Sequence, residues 1–300
     1  MSGYIEHSTE KSGGTYLYQY SRPAIGRKNL LIYSSCHCDQ IEKYIRDFRP
    51  EVLERYNLSM VLSHRLQLGR PDTNNSNVHK AFAEADAIIC NILSDKFQEF
   101  STNVLFKNCK PDCNIVSFVP PCCACWWPVA PYWGEEGVVW SMGLGISEEE
   151  MIKMFLNGSF YCEFPIRFKD QIDRLAFRER NRDVKISDFI KRHYKDFKMF
   201  FTINHPTFNL VAYIVDCCLA ELGFKQLGEE HSLSLPVNHA GFGNHYPETD
   251  YEWDFYGFRY PKRYTNELGG PNVFYPHLIG EVITRRMMEP VRFCDPEDDY

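Results

Sequence analysis

The stretch KNLLIYSSCHCDQIEKYIRDF, residues 28–48, decides the fold. Lys28–Ser35 reads as a strand whose apolar run lies within Asn29–Tyr33, the pattern of a strand buried on both faces, as in parallel sheets. Asp39–Phe48 then places Ile41, Tyr44, Ile45 and Phe48 on one face of a helix. The polar turn between them, Ser34-Ser35-Cys36-His37-Cys38, makes this a β–turn–α unit. Such a turn sits at the carboxyl edge of a parallel sheet, where open α/β folds place their ligands.

Working outward, Leu58–Ser63 reads as a second strand and Asn77–Ala85 as a short helix after the polar loop Arg70–Ser76. Ala87–Asn91 and Asn114–Val119 are further strands, separated by a helical stretch near Asp95–Phe106. Strands alternating with helices predict an α/β fold with a mostly parallel sheet flanked by helices and right-handed crossovers. Pro120–Gly145, rich in Pro, Trp and Gly, reads as one long shaped loop able to wall a pocket. Ser147 and Glu150 form a capping box for a helix ending at Asn157-Gly158. A charged helix is predicted over Lys169–Arg180, and Ser187 or Asp188 is expected to cap the next one. The basic segment Lys191–Lys195 of that helix reads as a solvated face. Residues 1–27 read as an irregular arm, 28–224 as the α/β domain and 225–300 as an aromatic-rich extension packed on it.

Composition excludes several classes of function. The 300 residues are 44% hydrophobic with a formal net charge of −7, and Lys and Arg are scattered, so a nucleic-acid footprint is not expected. The polar start lacks the apolar stretch of a signal peptide, and no window approaches the roughly 20 apolar residues of a membrane span, which predicts a cytoplasmic protein without an integral membrane segment. Twelve cysteines in such a chain are expected to stay reduced. Cys109, Cys113, Cys122, Cys123 and Cys125 are close enough to suggest zinc, yet they do not form two Cys-x2-Cys knuckles, and buried packing is the reading preferred. Cys217-Cys218 read as core, and no metal is expected.

Two motifs carry chemistry. Met199–Ile203 reads as another buried strand of the sheet, and Pro206 suits the first turn of a helix running to Leu222-Gly223. That places His205 at the N-cap, where the helix dipole disfavours the imidazolium and keeps the ring able to act as a base, with the helix N–H groups able to hold a phosphate or oxyanion. The alternative is a plain strand-to-helix connection. Cys36, between strand and helix, sits where N-terminal N–H groups lower a thiol pKa, whereas Cys38 enters the helix. The alternative for Cys36 is a small buried hydrophobe.

These residues also carry a resemblance. The Cys turn after the first strand, Ala85-Asp86-Ala87-Ile88-Ile89 followed by Leu93-Ser94-Asp95, Ile186-Ser187-Asp188-Phe189-Ile190, and Thr202-Ile203-Asn204-His205-Pro206-Thr207 together resemble the WcbI family of polysaccharide biosynthesis enzymes from Lys28 to about Leu222. The resemblance implies an SGNH-hydrolase-like or related layered fold, and transfer of an acetyl group from acetyl-coenzyme A to a saccharide or nucleotide-sugar acceptor. Family members commonly carry Gly-Asn-Cys-Gln at the first turn; here it reads Ser34-Ser35-Cys36-His37.

On this reading His205 is the general base, acting on the acceptor hydroxyl or on Cys36. Asn204, Ser35 and turn N–H groups face the oxyanion, and Asp188 orients His205. Ser34, Ser35, His37 and Ser94, with Arg178 and Arg182 for the phosphates, are the expected coenzyme A contacts. Two rivals share these features: a carbohydrate esterase of the Ser–Gly–Asn–His type, and a non-catalytic glycan-binding protein using the aromatic residues 251–256.

Overall fold

The computed structural model describes residues 17–19, 25–66, 75–130, 135–238, 245–262 and 269–288. Four parallel strands form its centre: β2 (Lys28–Ser34), β3 (Tyr56–Leu62), β4 (Ala87–Asn91) and β5 (Asn114–Phe118). The sheet order is β1-β3-β2-β4-β5, where β1 (Leu17–Gln19) lies antiparallel on the outer edge of β3. That stretch falls within the expected irregular arm; here it covers a strand edge that would otherwise present unpaired N–H and C=O groups. The other arm residues lie outside the described ones, apart from 25–27.

The sheet is buried on both faces because its residues alternate between two apolar layers. Leu30 and Ile32 face one cluster with Ile41, Tyr44 and Ile45 of α1 (Cys38–Phe48). Leu31 and Tyr33 face the other, with Val78 and Phe82. After α1 come α2 (Pro50–Arg55), α3 (Ser63–Leu66), α4 (Asn75–Glu84), which supplies Val78 and Phe82, and α5 (Thr102–Leu105). From β2 the chain steps to β3 on one side and then to β4 on the other, so β2 and β4 flank the topological switch point of a doubly wound sheet.

The second half builds on this frame with α6 (Glu136–Gly143), α7 (Glu148–Leu156), α8 (Phe164–Glu179) and α9 (Ser187–His193). The predicted Ser147–Glu150 capping box is present and α7 stops at Asn157, followed by Gly158 at φ +83°. The long loop expected over Pro120–Gly145 is instead a buried segment to Ala130 followed, after residues outside the description, by α6. Burying irregular backbone requires partners for its carbonyls. Arg167, 7% exposed, donates to the carbonyls of Ala124 (2.7 Å), Pro128 (3.2 Å) and Cys162 (3.2 Å).

Neither Ser187 nor Asp188 caps α9. Its N-cap is Ile186, and the carboxylate of Glu179, at the end of α8, accepts from the N–H groups of Ile186 (2.8 Å) and Ser187 (3.2 Å). A carboxylate brought from a preceding helix does the work of a local cap, which spacing within α9 could not reveal.

Met199–Ile203 is not a strand of the main sheet. β6 (Phe200–Thr202) turns at Ile203-Asn204 and pairs antiparallel with β7 (His205–Pro206) in a separate ribbon. Then α10 (Phe208–Glu221) begins, with Thr207 at its N-cap. Thr207 is the N-cap by position only: its hydroxyl donates to the Lys198 carbonyl (2.8 Å) and its N–H to the Met199 carbonyl (2.9 Å), so pairing with the β6 side carries the chain past His205 before the helix starts. The aromatic C-terminal region carries α11 (Glu229–Ser234), α12 (Asp250–Tyr256) and α13 (Pro271–Met288). Tyr256, Phe258, Tyr275 and Ile279 join the same core as α1 and α10. Among the described residues no helix is long and apolar enough to cross a membrane.

Candidate functional site at the switch point

The turn after β2 is held from both sides. Ser34, fully buried, donates its hydroxyl to Asn91 Oδ1 at 2.7 Å, joining the carboxyl ends of β2 and β4 across the switch point. The Cys38 thiol donates to the carbonyls of Ser34 (3.3 Å) and Val61 (3.5 Å), so Cys38 is a packing residue at the start of α1, and burial pushes its thiol well up. Cys36 is half-buried, with its Sγ 3.9 Å from Ser35 Oγ. Its thiol lies above the ordinary value of 9.0 chiefly because burial disfavours the thiolate; the hydrogen bond with Ser35 opposes this only in part. The expected lowering at a helix N-terminus is therefore reversed, since desolvation outweighs the N–H groups.

His37 brings the two motifs together. Its Nε2 lies 3.0 Å from the Asn204 carbonyl and its Nδ1 3.0 Å from Ser35 Oγ. The hairpin turn that offers this carbonyl is anchored in turn, because Ile203 O accepts from Cys123 N at 2.8 Å. Asn204 is exposed and His205 half-buried. Thr202 Oγ1 lies 2.6 Å from His205 Nδ1 and donates to Asn204 Oδ1 at 3.4 Å. Thr202 Oγ1 thus holds His205 at Nδ1, where a hydroxyl can donate to the nitrogen or accept from its hydrogen. Burial lowers the His205 pKa from 6.5 to about 4, so the ring is neutral near pH 7. Neutrality was expected; its cause is desolvation, not a helix dipole.

Thr202, not Asp188, is thus the residue found on His205 Nδ1. Asp188 lies exposed in the first turn of α9.

A cavity of about 970 Å³ opens where β4 and β5 end. It is lined by Ser94, Arg178 and Arg182, the three distant residues singled out in the sequence for coenzyme A, and also by Arg174 and Arg180. Apolar walls come from Ile92, Leu93, Phe118, Val119 and Phe177. The turn carrying Arg180 and Arg182 is clamped at both ends, by Glu179 as above and by Asp183, whose carboxylate accepts from Ser117 N (2.7 Å) and Oγ (2.8 Å) at the end of β5. Ser94 Oγ is buried and has no hydrogen-bond partner among the described residues. Ser94 does not open a regular helix: the 3-10 segment Asp95–Phe100 is broken at Gln98, with φ at 50°. Its contribution is a hydroxyl, not a helix dipole. Arg174 and Arg180 escaped the sequence reading, although the i, i+4 spacing of Arg174 and Arg178 on α8 was a signal for them.

Cys122, Cys123 and Cys125 are buried; Cys123 and Cys125 are 3.0 Å apart at sulfur, and Trp126 Nε1 donates to Cys123. Among the described residues no group of three or more His, Cys, Asp or Glu is arranged to hold a metal ion. Among the described aromatic residues of the C-terminal region, Tyr256 and Phe258 are packed: Trp126 meets Tyr256 and stacks on Phe258 with ring centroids 5.6 Å apart.

A doubly wound α/β protein with a polar turn at its switch point and an arginine-lined cavity at the ends of β4 and β5 is the class that fold and site define. The chain belongs to the WcbI family of polysaccharide biosynthesis enzymes, whose pattern matches residues 29–227. Its fold is similar to that of WcbI itself, described as a novel polysaccharide biosynthesis enzyme, in the native form without a disulfide bond between coenzyme A and one of its cysteines. That similarity has a TM-score of 0.65 at 17% identity and covers 88% of this chain and 91% of that one. Coverage of 88% of 300 residues extends past residue 227, so the shared fold reaches into the aromatic C-terminal region. No curated protein matches the sequence.

Proposed function

We propose that this enzyme transfers an acetyl group from acetyl-coenzyme A to a sugar hydroxyl during polysaccharide biosynthesis. The observation that carries the reading is the cavity beside the switch point. Its volume of about 970 Å³ lies at the upper end of the range for small-molecule sites, as a long nucleotide thioester requires. Arg174, Arg178, Arg180 and Arg182 suit the donor's several phosphate groups, and the apolar walls suit its pantetheine arm. The buried Ser94 hydroxyl, without a partner among the described residues, adds a polar group to the cavity wall. The cavity starts directly after Asn91, which Ser34 ties to the turn of Cys36. A thioester reaching along it would present its carbonyl to that turn.

There, His205 takes the proton of the acceptor hydroxyl as its oxygen attacks the acyl carbon. A C–O bond to the acceptor forms, the bond between the acyl carbon and its carrier breaks, and the proton passes to the departing group, so that the acetyl ester and, overall, free coenzyme A thiol are the products. Asn204 and the turn N–H groups supply donors for the oxyanion. Cys36, a neutral thiol, lines the reacting centre.

Thermal denaturation with coenzyme A tests the donor: at about 100 times the dissociation constant the gain is about 2.7 kcal/mol, and Arg178→Ala with Arg182→Ala should abolish it at the same concentration. No shift at millimolar ligand counts against the donor. Incubation with acetyl-coenzyme A and, separately, with acetylated saccharides tests the reaction. Cleavage of the ester alone, with no thiol released from acetyl-coenzyme A, overturns the transferase reading in favour of an esterase.

A further inference from the structure

A carbonyl oxygen only accepts hydrogen bonds, so the 3.0 Å contact of His37 Nε2 with the Asn204 carbonyl puts a hydrogen on Nε2. In the neutral ring the lone pair then lies on Nδ1, and the group 3.0 Å from it is the Ser35 hydroxyl, which must donate. The serine proton is therefore already aimed at a base, and the base is held by a third group. This is the nucleophile–base–orienter arrangement of covalent acyl transfer, with a backbone carbonyl in the orienting place.

The surroundings suit the roles. His37 is 4% exposed and has a partner at both nitrogens, whereas Ser35 is only partly buried. The hairpin presenting the carbonyl is pinned by Cys123 N to Ile203 O. With its hydroxyl proton committed to His37, Ser35 Oγ is left to accept from the Cys36 thiol at 3.9 Å. Burial keeps that thiol protonated, the unreactive state for a cysteine nucleophile.

We infer that Ser35, not Cys36, receives the acyl group, with His37 as its general base and the Asn204 carbonyl as the positioning group. Ser35 Oγ bonds to the acyl carbon as its proton moves to His37 Nδ1; the C–S bond of the thioester breaks, and the leaving thiolate takes the proton back from His37. A C–O bond then forms between the acyl carbon and the acceptor oxygen, or that of water, as the Ser35 Oγ–acyl bond breaks; His205 takes the attacking hydroxyl's proton and returns it to Ser35 Oγ. This rests on the acetyl-transfer reading for its donor but not for its nucleophile: any activated acyl or phosphonyl compound that fits the cleft should react at the same oxygen.

The test uses the full chain and a fluorophosphonate probe, whose P–F bond breaks as a P–O bond to the nucleophile forms, with the adduct mapped by peptide mass spectrometry. The expected result is one adduct, on Ser35, absent in Ser35→Ala. His37→Gln can keep a donor to the Asn204 carbonyl but lacks the base, and it should slow labelling by about 10²- to 10⁴-fold while near-ultraviolet circular dichroism stays native. An adduct on Cys36, no adduct on the folded protein, or wild-type labelling in His37→Gln overturns the inference, as does acetyl transfer at the wild-type rate in Ser35→Ala. Labelling of Ser35 without consumption of acetyl-coenzyme A would leave the relay standing and remove the donor, so the two readings fail separately.

Discussion

The hydrogen bond across the switch point should be measurable as a coupling between two side chains. Ser34 is 0% and Asn91 1% exposed, and the hydroxyl donates to Oδ1 at 2.7 Å. Ser34→Ala removes one oxygen atom from a packed interior, a space too small for a replacing water with partners of its own. Asn91 Oδ1 then loses its donor in a dry site, at a cost of about 1–3 kcal/mol. Asn91→Leu, similar in shape, strands the serine hydroxyl and should cost a comparable amount in addition to whatever else the amide holds. The double variant Ser34→Ala/Asn91→Leu leaves neither group unpaired, and replacing both partners by apolar groups is nearly neutral for the pair. Its loss should fall short of the sum of the single losses by at least about 1 kcal/mol. Guanidinium denaturation of all four proteins measures this, since the cycle cancels the amide's other contacts. Additivity within about 0.5 kcal/mol would refute the claim that this bond ties the two strand ends together.

Three further outcomes follow from burial. His205 has its pKa lowered from 6.5 to about 4, so its stabilising effect is fully present above pH 6.5 and is lost as pH falls through about 4; the gap corresponds to about 3 kcal/mol at most, and in His205→Gln the unfolding free energy should fall less steeply over that window. Glu252, buried in α12, is raised from 4.5 to about 8, which has the opposite sign: its contribution is present below pH 4.5 and is lost as pH rises through about 8. Because glutamine also closes a capping box, Glu252→Gln should keep the box with Thr249 and remove that alkaline decline, read by denaturation between pH 5 and 9. Cys36 should alkylate with iodoacetamide more slowly than glutathione at pH 7.5 and accelerate only above pH 9; an inflection near pH 7 would show a thiolate-stabilising environment instead.

Much of the frame was legible because its signals are local. The run 28–34 reads as a strand buried on both faces, and Ser147 with Glu150 is a complete cap within four residues. Cys36, Asn204 and His205 were legible as chemistry by residue type, and Ser94, Arg178 and Arg182 fall together on one cavity. What escaped was set by tertiary partners. Phe200–Thr202 is apolar enough for the main sheet, yet Asn204 turns it back on itself and Thr207 takes the helix cap. Spacing could not show that Arg167 satisfies the carbonyls of a buried segment from Ala124 to Pro128, nor that Glu179 caps α9.

The same distinction decides which groups near the turn can do chemistry. Position in the chain favours Cys36, because a thiol between a strand and a helix should ionise easily. Position in the folded molecule favours its neighbours, because desolvation raises the thiol while hydrogen bonds settle where the proton of the His37 imidazole lies. His37 has its proton placed on Nε2 by the Asn204 carbonyl, which turns Nδ1 toward Ser35, and His205 is held at Nδ1 by the Thr202 hydroxyl. Two imidazoles held on either side of one hairpin turn are what the proposed two-step acyl transfer needs, one to load the acyl group and one to activate its acceptor. A single-step transfer would need only His205, and would leave no reason for the Ser35 proton to be directed at His37.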